Sequence, residues 1–425
     1  MTGHFPTREA AASHQLARLR QLLGAILPGN AFYRNKLARI DPAIASLEDF
    51  SARFPFTTKQ ELVEDQRRQP PFGSNLTFPP ATYTRYHQTS GTTSSPLRWL
   101  DTPESWDWMV ESWKEIYRAA GVGGGDRVYF AFSFGPFIGF WLAFEAAQRL
   151  GCLCLPGGGL STQGRLRALS ENRATVLCCT PSYAAHLAET AAREKLDLRS
   201  ADARVIIVAG EPGGSVPAAR RRLEELWPGA RIFDHHGMTE TGPVSHECPA
   251  HPGTLHILEQ AYLAEIIGAD GKAARPGEAG ELVLTVLGRA GSPLLRYRTG
   301  DLARAGGACA CGWPGAALPG GLLGRTDEMV IVRGVNVYPA AVEDVLRGFR
   351  EVAEYQVEVD RSRPLMELSL RIEPLAECEA ARARALAGRV QEALQSVFNL
   401  RMPVALAPAG SLPRFEMKAR RWNFV

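Results

Sequence analysis

The 425-residue chain is short of the features that mark membrane, exported and nucleic-acid-binding proteins. Its formal net charge is only +3, too little for the basic face that a nucleic-acid backbone demands. So slight an excess of positive charge still suits small anionic substrates. The opening Met1-Thr2-Gly3-His4-Phe5 has no apolar core of an export signal. The most apolar run, around 130–142, is broken by Ser133, Gly135 and Pro136 and is too short to cross a bilayer. A cytoplasmic protein with neither membrane nor nucleic-acid partner is expected. There are only 8 cysteines, and without an export signal disulfides are not expected. Cys152, Cys154, Cys178 and Cys179 lie in apolar runs, where cysteine acts as a small hydrophobe. No internal repeat is visible.

What the chain does have is length and alternation. At 425 residues it exceeds what one core usually spans, so two or three domains are expected. Strand-like runs at 127–132 and 152–156 and short β-branched runs at 175–180 and 205–209 alternate with helical stretches such as 138–150, and 231–234 follows a further helix. This rhythm predicts an α/β fold built on a parallel, doubly wound sheet. Beyond Leu255 the pattern turns β-rich. Strands at 262–267 and 280–287 flank the turn-rich segment 268–278 and read as a hairpin. The Gly/Ala/Pro-rich stretch 306–321 reads as irregular. From Met329 onward, strands at 330–333, 352–359 and 367–372 mix with helices at 340–346 and 378–397, which predicts a small α+β domain.

Chemistry concentrates in a few motifs. Thr89-Ser90-Gly91-Thr92-Thr93-Ser94-Ser95-Pro96 gathers hydroxyls and a glycine with little side-chain bulk. Such a loop can fold amides and hydroxyls around phosphate oxygens. It lacks the lysine of a Walker A loop, which excludes that nucleotide-binding class. Further on come His236-Gly237-Met238-Thr239-Glu240, Tyr297-Arg298-Thr299-Gly300-Asp301, Gly324-Arg325-Thr326-Asp327 and Lys418 near the C-terminus. In this order the set resembles the adenylate-forming superfamily, and in detail the phenylacetate–CoA ligase family of aryl-acid activating enzymes. The resemblance runs from about Tyr33 to the C-terminus.

The resemblance implies a large N-terminal domain, 1–326, that binds ATP and an aryl acid. It also implies a mobile C-terminal domain, 327–425, hinged at Asp327. The implied reaction joins a carboxylate to the α-phosphate of ATP, expels pyrophosphate, and then forms a thioester with coenzyme A. Two anions must meet, so charge has to be neutralised and geometry held. Thr89, Ser90, Gly91, Thr92 and Thr93 would hold phosphates. Glu240, with Thr239 beside it, would bind Mg²⁺, a hard cation suited to carboxylate and phosphate oxygens. Asp301 would accept from the ribose hydroxyls, assisted by Arg325. Gly210-Glu211-Pro212 and Asp234-His235 would meet the adenine at strand ends, where parallel sheets bind ligands. Lys418 would stabilise charge developing at the α-phosphate. Phe132, Phe134, Phe137 and Phe140, with His236, Gly237 and Met238 opposite, would wall a pocket for a compact aromatic acid of the anthranilate, benzoate or phenylacetate type. Arg333, Gly334 and Val335 would line the path of coenzyme A. A stand-alone enzyme loading a carrier protein, and a nucleotide-binding regulator without catalysis, are the alternative readings. Oligomeric state is not read from the sequence.

The chain departs from the family pattern in places. Ser94 stands where glycine is usual, Leu97 and Arg98 follow Pro96 where lysine is usual, His236 replaces a common tyrosine, and Met417 replaces the glycine before Lys418. Separately, Cys309-x-Cys311 in a glycine-rich loop and Cys248 upstream read, with one histidine, as a four-coordinate structural Zn²⁺ site. His256 is the expected fourth ligand and His251 the alternative.

Overall fold

The computed structural model describes residues 5–89, 96–139, 141–198, 201–332, 335–360, 366–415 and 419–425. Two compact units emerge. One joins Met1–Gly159 with Phe233–Leu322; the other joins Leu160–Ile232 with Leu323–Val425.

In the first unit the helices Arg8–Ile26, Ala31–Lys36, Leu47–Arg53 and Lys59–Arg68 each start at a side-chain cap: Thr7, Asn30, Ser46 and Thr58 accept an amide of the first turn. Such a cap satisfies one of the otherwise orphan helix amides, worth about 1 kcal/mol. Leu19, Leu22, Leu23 and Ile26 of the first helix, spaced to share one face, bury with Phe50, Phe54, Leu263 and Leu287. Strands Arg127–Phe130 and Leu153–Pro156 pair in parallel, with helix Trp141–Arg149 between them in the chain. Parallel neighbours need such a crossover. The strand Arg231–Met238 pairs antiparallel with Gly242–Glu247, which pairs with Thr254–Ile257, which pairs with Ala317–Pro319. Tyr262–Ile267, Ala279–Val286 and Tyr297–Arg304 form the expected antiparallel hairpin and one further strand.

In the second unit, Val176–Cys179 and Val205–Val208 pair in parallel and are buried at every position. Complete burial is why both read as unbroken apolar runs. Towards the C-terminus, four strands run in the order Val404–Leu406, Glu367–Pro374, Val352–Asp360, Trp422–Phe424. Helices Pro339–Arg347 and Ala380–Phe398 close their core through Val342, Leu346, Leu386, Val390 and Leu394.

The α/β class expected from the sequence is therefore met. Most elements fall within a few residues of their expected limits. Two differ in kind. The stretch 306–321, read as irregular, contains the strand Ala317–Pro319. The strand expected at 231–234 runs on to Met238, through His235, His236 and Gly237. Among the described residues no helix is long and apolar enough to cross a membrane.

Candidate active site

Glu240 lies in the three-residue turn that joins Arg231–Met238 to Gly242–Glu247, where Met238 pairs with Gly242. Gly242 ends the turn at φ +86°, and a Cβ there would lie 2.8 Å from Met109 Sδ, so only glycine fits both backbone and space. The turn is gripped from outside. Arg289 Nη1 donates to the carbonyls of Thr239 and Glu240 at 2.9 and 2.7 Å, and Tyr262 Oη donates to Thr241 O at 2.9 Å. Arg289 is itself held by Asp101 through Nε–Oδ1 and Nη2–Oδ2 at 2.6 and 2.7 Å. Both side chains are completely buried. The buried Glu240 carboxylate lies 3.4 Å from Lys59 Nζ. Arg289, Asp101 and Lys59 escaped the sequence reading, because no local motif marks a residue whose role is to hold another's backbone.

Asp301 sits on Tyr297–Arg304, where Tyr297, Thr299, Asp301 and Ala303 alternate inward. Its Oδ2 lies 3.2 Å from His236 Nε2, with both side chains buried. A carboxylate only accepts, so Nε2 is the donor. His236 Nδ1 is buried without a hydrogen bond among the described residues. A register shift at His236/Gly237 against Ser245/Pro243 re-aims the strand as it leaves these histidines. Next to it, His235 Nδ1 donates to Ser245 O at 3.0 Å, and its ring meets Trp113 edge-on, centroids 4.4 Å apart. Burial pulls the His235 pKa down to about 3, so the ring is neutral with Nδ1 protonated. Asp234, also buried, accepts the His235 amide on Oδ1 at 2.9 Å.

Thr89 closes the described edge of the hydroxyl-rich loop: its amide donates to Leu97 O at 2.9 Å and its Oγ1 accepts from Leu97 N at 3.1 Å. Ser90, Gly91, Thr92 and Thr93 lie outside the described residues, as does Phe140. Phe132 is buried, and Phe134 and Phe137 are half-buried. Phe134 packs against Phe132, Trp141 and Phe144 at 5.4, 4.6 and 5.5 Å. Phe132 and Phe134 thus help build an aromatic cluster. The Phe137 ring covers Gly135 and Gly139, where an added Cβ would come within 2.6 and 3.1 Å of it. Gly237 is equally confined, with Gly242 O 2.9 Å from an added Cβ.

In the second unit, Gly210 and Pro212 are exposed, whereas the carboxylate of Glu211 accepts two backbone amides, Ser182 N and Ala419 N. Arg325 Nε donates to Asp327 Oδ1 at 2.8 Å within a turn closed by Met329 N to Arg325 O. Val335 pairs with Val332. Arg333, Gly334 and Lys418 lie outside the described residues.

The metal-ligand candidates converge in the first unit. One ligand atom from each of Cys248, His256, Cys309 and Cys311 lies within 4.8 Å of every other. Cys309 Sγ is 3.9 Å from Cys248 Sγ, and Cys311 Sγ is 3.7 Å from His256 Nε2. A tetrahedron with Zn–S bonds of about 2.3 Å has edges of about 3.8 Å, so the set fits zinc. The His256 ring stacks on Trp313 at 4.6 Å and 6°, which fixes its plane. His251 instead directs its backbone amide to Cys248 Sγ at 3.3 Å. All eight cysteines are free of disulfides.

Residues 60–288 match the model of the AMP-binding enzyme family, and residues 334–423 match that of the AMP-binding enzyme C-terminal domain. Phenylacetate-coenzyme A ligase of Thermus thermophilus is 33% identical, covering 96% of this chain and 95% of that protein. The Pseudomonas putida protein of the same name is 31% identical over 97% and 93%. A solved 2-hydroxyisobutyryl-CoA ligase in its postadenylation state is 28% identical over 98% of this chain and 90% of its own, with a TM-score of 0.93. The same ligase in its thioesterification state gives 0.73. Matching that family along nearly its whole length, the chain belongs to the phenylacetate–CoA ligase family of adenylate-forming enzymes and is an AMP-forming acid–thiol ligase that works through an acyl-adenylate.

Proposed function

We propose that the acid activated is a compact aromatic acid and that its acceptor is free coenzyme A. The observation that carries this reading is the 3.2 Å contact between His236 and Asp301. It brings a residue of the acid-binding set against a residue of the ribose-binding set, as forming a mixed anhydride requires. Buried or half-buried Phe132, Phe134 and Phe137 supply apolar surface, and the two phenylacetate-coenzyme A ligases above are named for an aromatic acid.

In this reading Thr89 and the hydroxyl loop after it hold the β- and γ-phosphates. Asp301 accepts from the ribose hydroxyls, and Gly210, Glu211, Pro212, Asp234 and His235 frame the adenine. Glu240, with Thr239 beside it, holds Mg²⁺, which supplies charge neutralisation between phosphate oxygens. Lys418 stabilises charge at the α-phosphate in the first half-reaction. The hinge in this reading is Asp327, with 1–326 and 327–425 alternating about it and Arg333, Gly334 and Val335 serving the coenzyme A path; that the two family matches cover 60–288 and 334–423 supports it. Cys248, His256, Cys309 and Cys311 hold a structural Zn²⁺, since four protein ligands leave no open position.

The test is kcat/KM for ATP-dependent pyrophosphate release with benzoate, anthranilate, phenylacetate, 2-hydroxyisobutyrate, hexanoate and palmitate. Filling a site with a ring buries about 100 Å² of apolar surface at roughly 25 cal/mol per Å², so one aromatic acid should lead by well over tenfold. A lead for 2-hydroxyisobutyrate or an aliphatic acid refutes the aromatic reading. Transfer to a phosphopantetheinylated protein without transfer to coenzyme A refutes the acceptor.

A further inference from the structure

The second unit contains a polar clamp that the assigned roles leave unexplained. Glu211 follows the strand Val205–Val208, and its two carboxylate oxygens reach amides distant in the chain. Oε1 accepts from Ser182 N at 2.8 Å, in the first turn of helix Pro181–Arg193, and Oε2 accepts from Ala419 N at 2.6 Å. Ser182 is engaged a second time, its Oγ accepting from Arg421 Nη2 at 3.2 Å. Arg421 is buried and fixed by Glu354 through Nε–Oε1 and Nη2–Oε2 at 2.7 and 3.0 Å. Residues 419 and 421 are thereby tied to one helix start, through Glu211 on one side and Arg421 on the other.

Three features make the clamp firm. Carboxylate-to-amide bonds are charge-assisted and short. A helix N-terminus favours a negative partner. The loop that carries Glu211 touches that helix directly, because Gly213 has φ +155° and an added Cβ would lie 2.5 Å from Pro181 Cβ. Ala419 is one peptide bond from Lys418. Whatever fixes the Ala419 amide sets one end of the segment that delivers the lysine.

We propose that Glu211 is a positioning residue for Lys418. With Ser182 and Arg421 it clamps the segment after the lysine for adenylation. This rests on the reading of Lys418 as the residue that serves the first half-reaction.

The experiment measures the two half-reactions separately in the full-length enzyme, using the acid of the panel above that wild type adenylates fastest. Single-turnover acyl-adenylate formation at saturating ATP should fall at least tenfold in Glu211→Gln, about a hundredfold in Glu211→Ala and at least threefold in Ser182→Ala. Glu211→Asp should recover part of the loss. Thioester formation from supplied acyl-adenylate should stay within threefold of wild type in Ser182→Ala, which also reports that this variant is folded, and in the Glu211 variants it should fall less than adenylation does. An equal fall in both half-reactions overturns the proposal, because general structural damage does not choose between them. A raised KM for ATP with an unchanged rate at saturation also overturns it, making Glu211 a nucleotide ligand alone. Lys418→Ala separates the failures. If it loses adenylation while Glu211→Gln keeps it, the clamp alone falls; if Lys418→Ala itself keeps adenylation, the reading of the lysine falls and the clamp with it.

Discussion

Removing Asp101 should be among the most damaging single changes in the first unit. Its carboxylate and the Arg289 guanidinium are both 0% exposed and share two hydrogen bonds of 2.6 and 2.7 Å. The guanidinium has no route to water, lying 5.2 Å from the Trp99 ring and tied through Nη1 to the Thr239 and Glu240 carbonyls. Asp101→Ala therefore strands a buried cation, a loss of about 3–5 kcal/mol. The same change loosens the arginine that holds the Glu240 turn, so adenylation should slow even where the protein remains folded. Replacing both partners, Asp101→Leu with Arg289→Met, removes the stranded charge and should recover part of the stability. Recovery stays incomplete because two carbonyls lose their donor, at about 1–3 kcal/mol each if they stay buried. The exposed pair Arg275–Glu278 is the reference, and Glu278→Ala should leave stability unchanged. The assay is urea unfolding followed by two independent probes, since a chain of two compact units need not unfold in one step. A loss below 1 kcal/mol for Asp101→Ala, or a double variant no better than the single one, refutes the reasoning.

Lys418→Ala should lower adenylation by about 10²–10³-fold and spare thioester formation from supplied acyl-adenylate; equal damage to both steps contradicts its assignment. Asp327→Pro fixes φ at the proposed hinge, so acyl-adenylate should form while the thioester does not, and normal thioester yield in a single turnover removes the hinge. Dialysed protein should retain about one zinc per chain by elemental analysis. Cys309→Ser and Cys311→Ser should each lose it and melt at lower temperature, whereas a metal-free protein of full stability refutes the site. His235 provides a pH test: its folded pKa of about 3 lies below the ordinary 6.5 because burial disfavours the charged ring. The unfolded chain then binds the extra proton, so stability is full above about pH 6.5 and declines towards pH 3, by up to about 1.4 kcal/mol per pH unit for that one proton. His235→Gln should flatten this decline between pH 6.5 and 4; an unchanged slope shows that His235 does not carry it.

The sequence alone determined what short-range pattern can carry. Unbroken apolar runs named the buried parallel strands at Val176–Cys179 and Val205–Val208, because burial on both faces removes alternation. The ordered motifs singled out Glu240 and Asp301, and Cys/His spacing at two loci singled out Cys248, His256, Cys309 and Cys311, whose side chains the fold gathers. Tertiary structure decided the rest. The strand through His235-His236-Gly237 exists because Gly242–Glu247 lies beside it, not because those residues favour strands. Asp101 and Arg289 are 188 positions apart, and Glu211 and Ala419 are 208 apart. No local pattern joins such pairs, since an ion pair or an amide–carboxylate bond depends on where the backbone returns, not on neighbouring residues. The aromatic residues at 132 and 134 were legible as apolar, yet which of their faces pack inward was settled only by Phe130, Trp141 and Phe144 around them. His256, the expected fourth member of the cysteine cluster, brings its ring nitrogen to 3.7 Å from Cys311 Sγ, whereas His251, the alternative, meets Cys248 Sγ through its backbone amide.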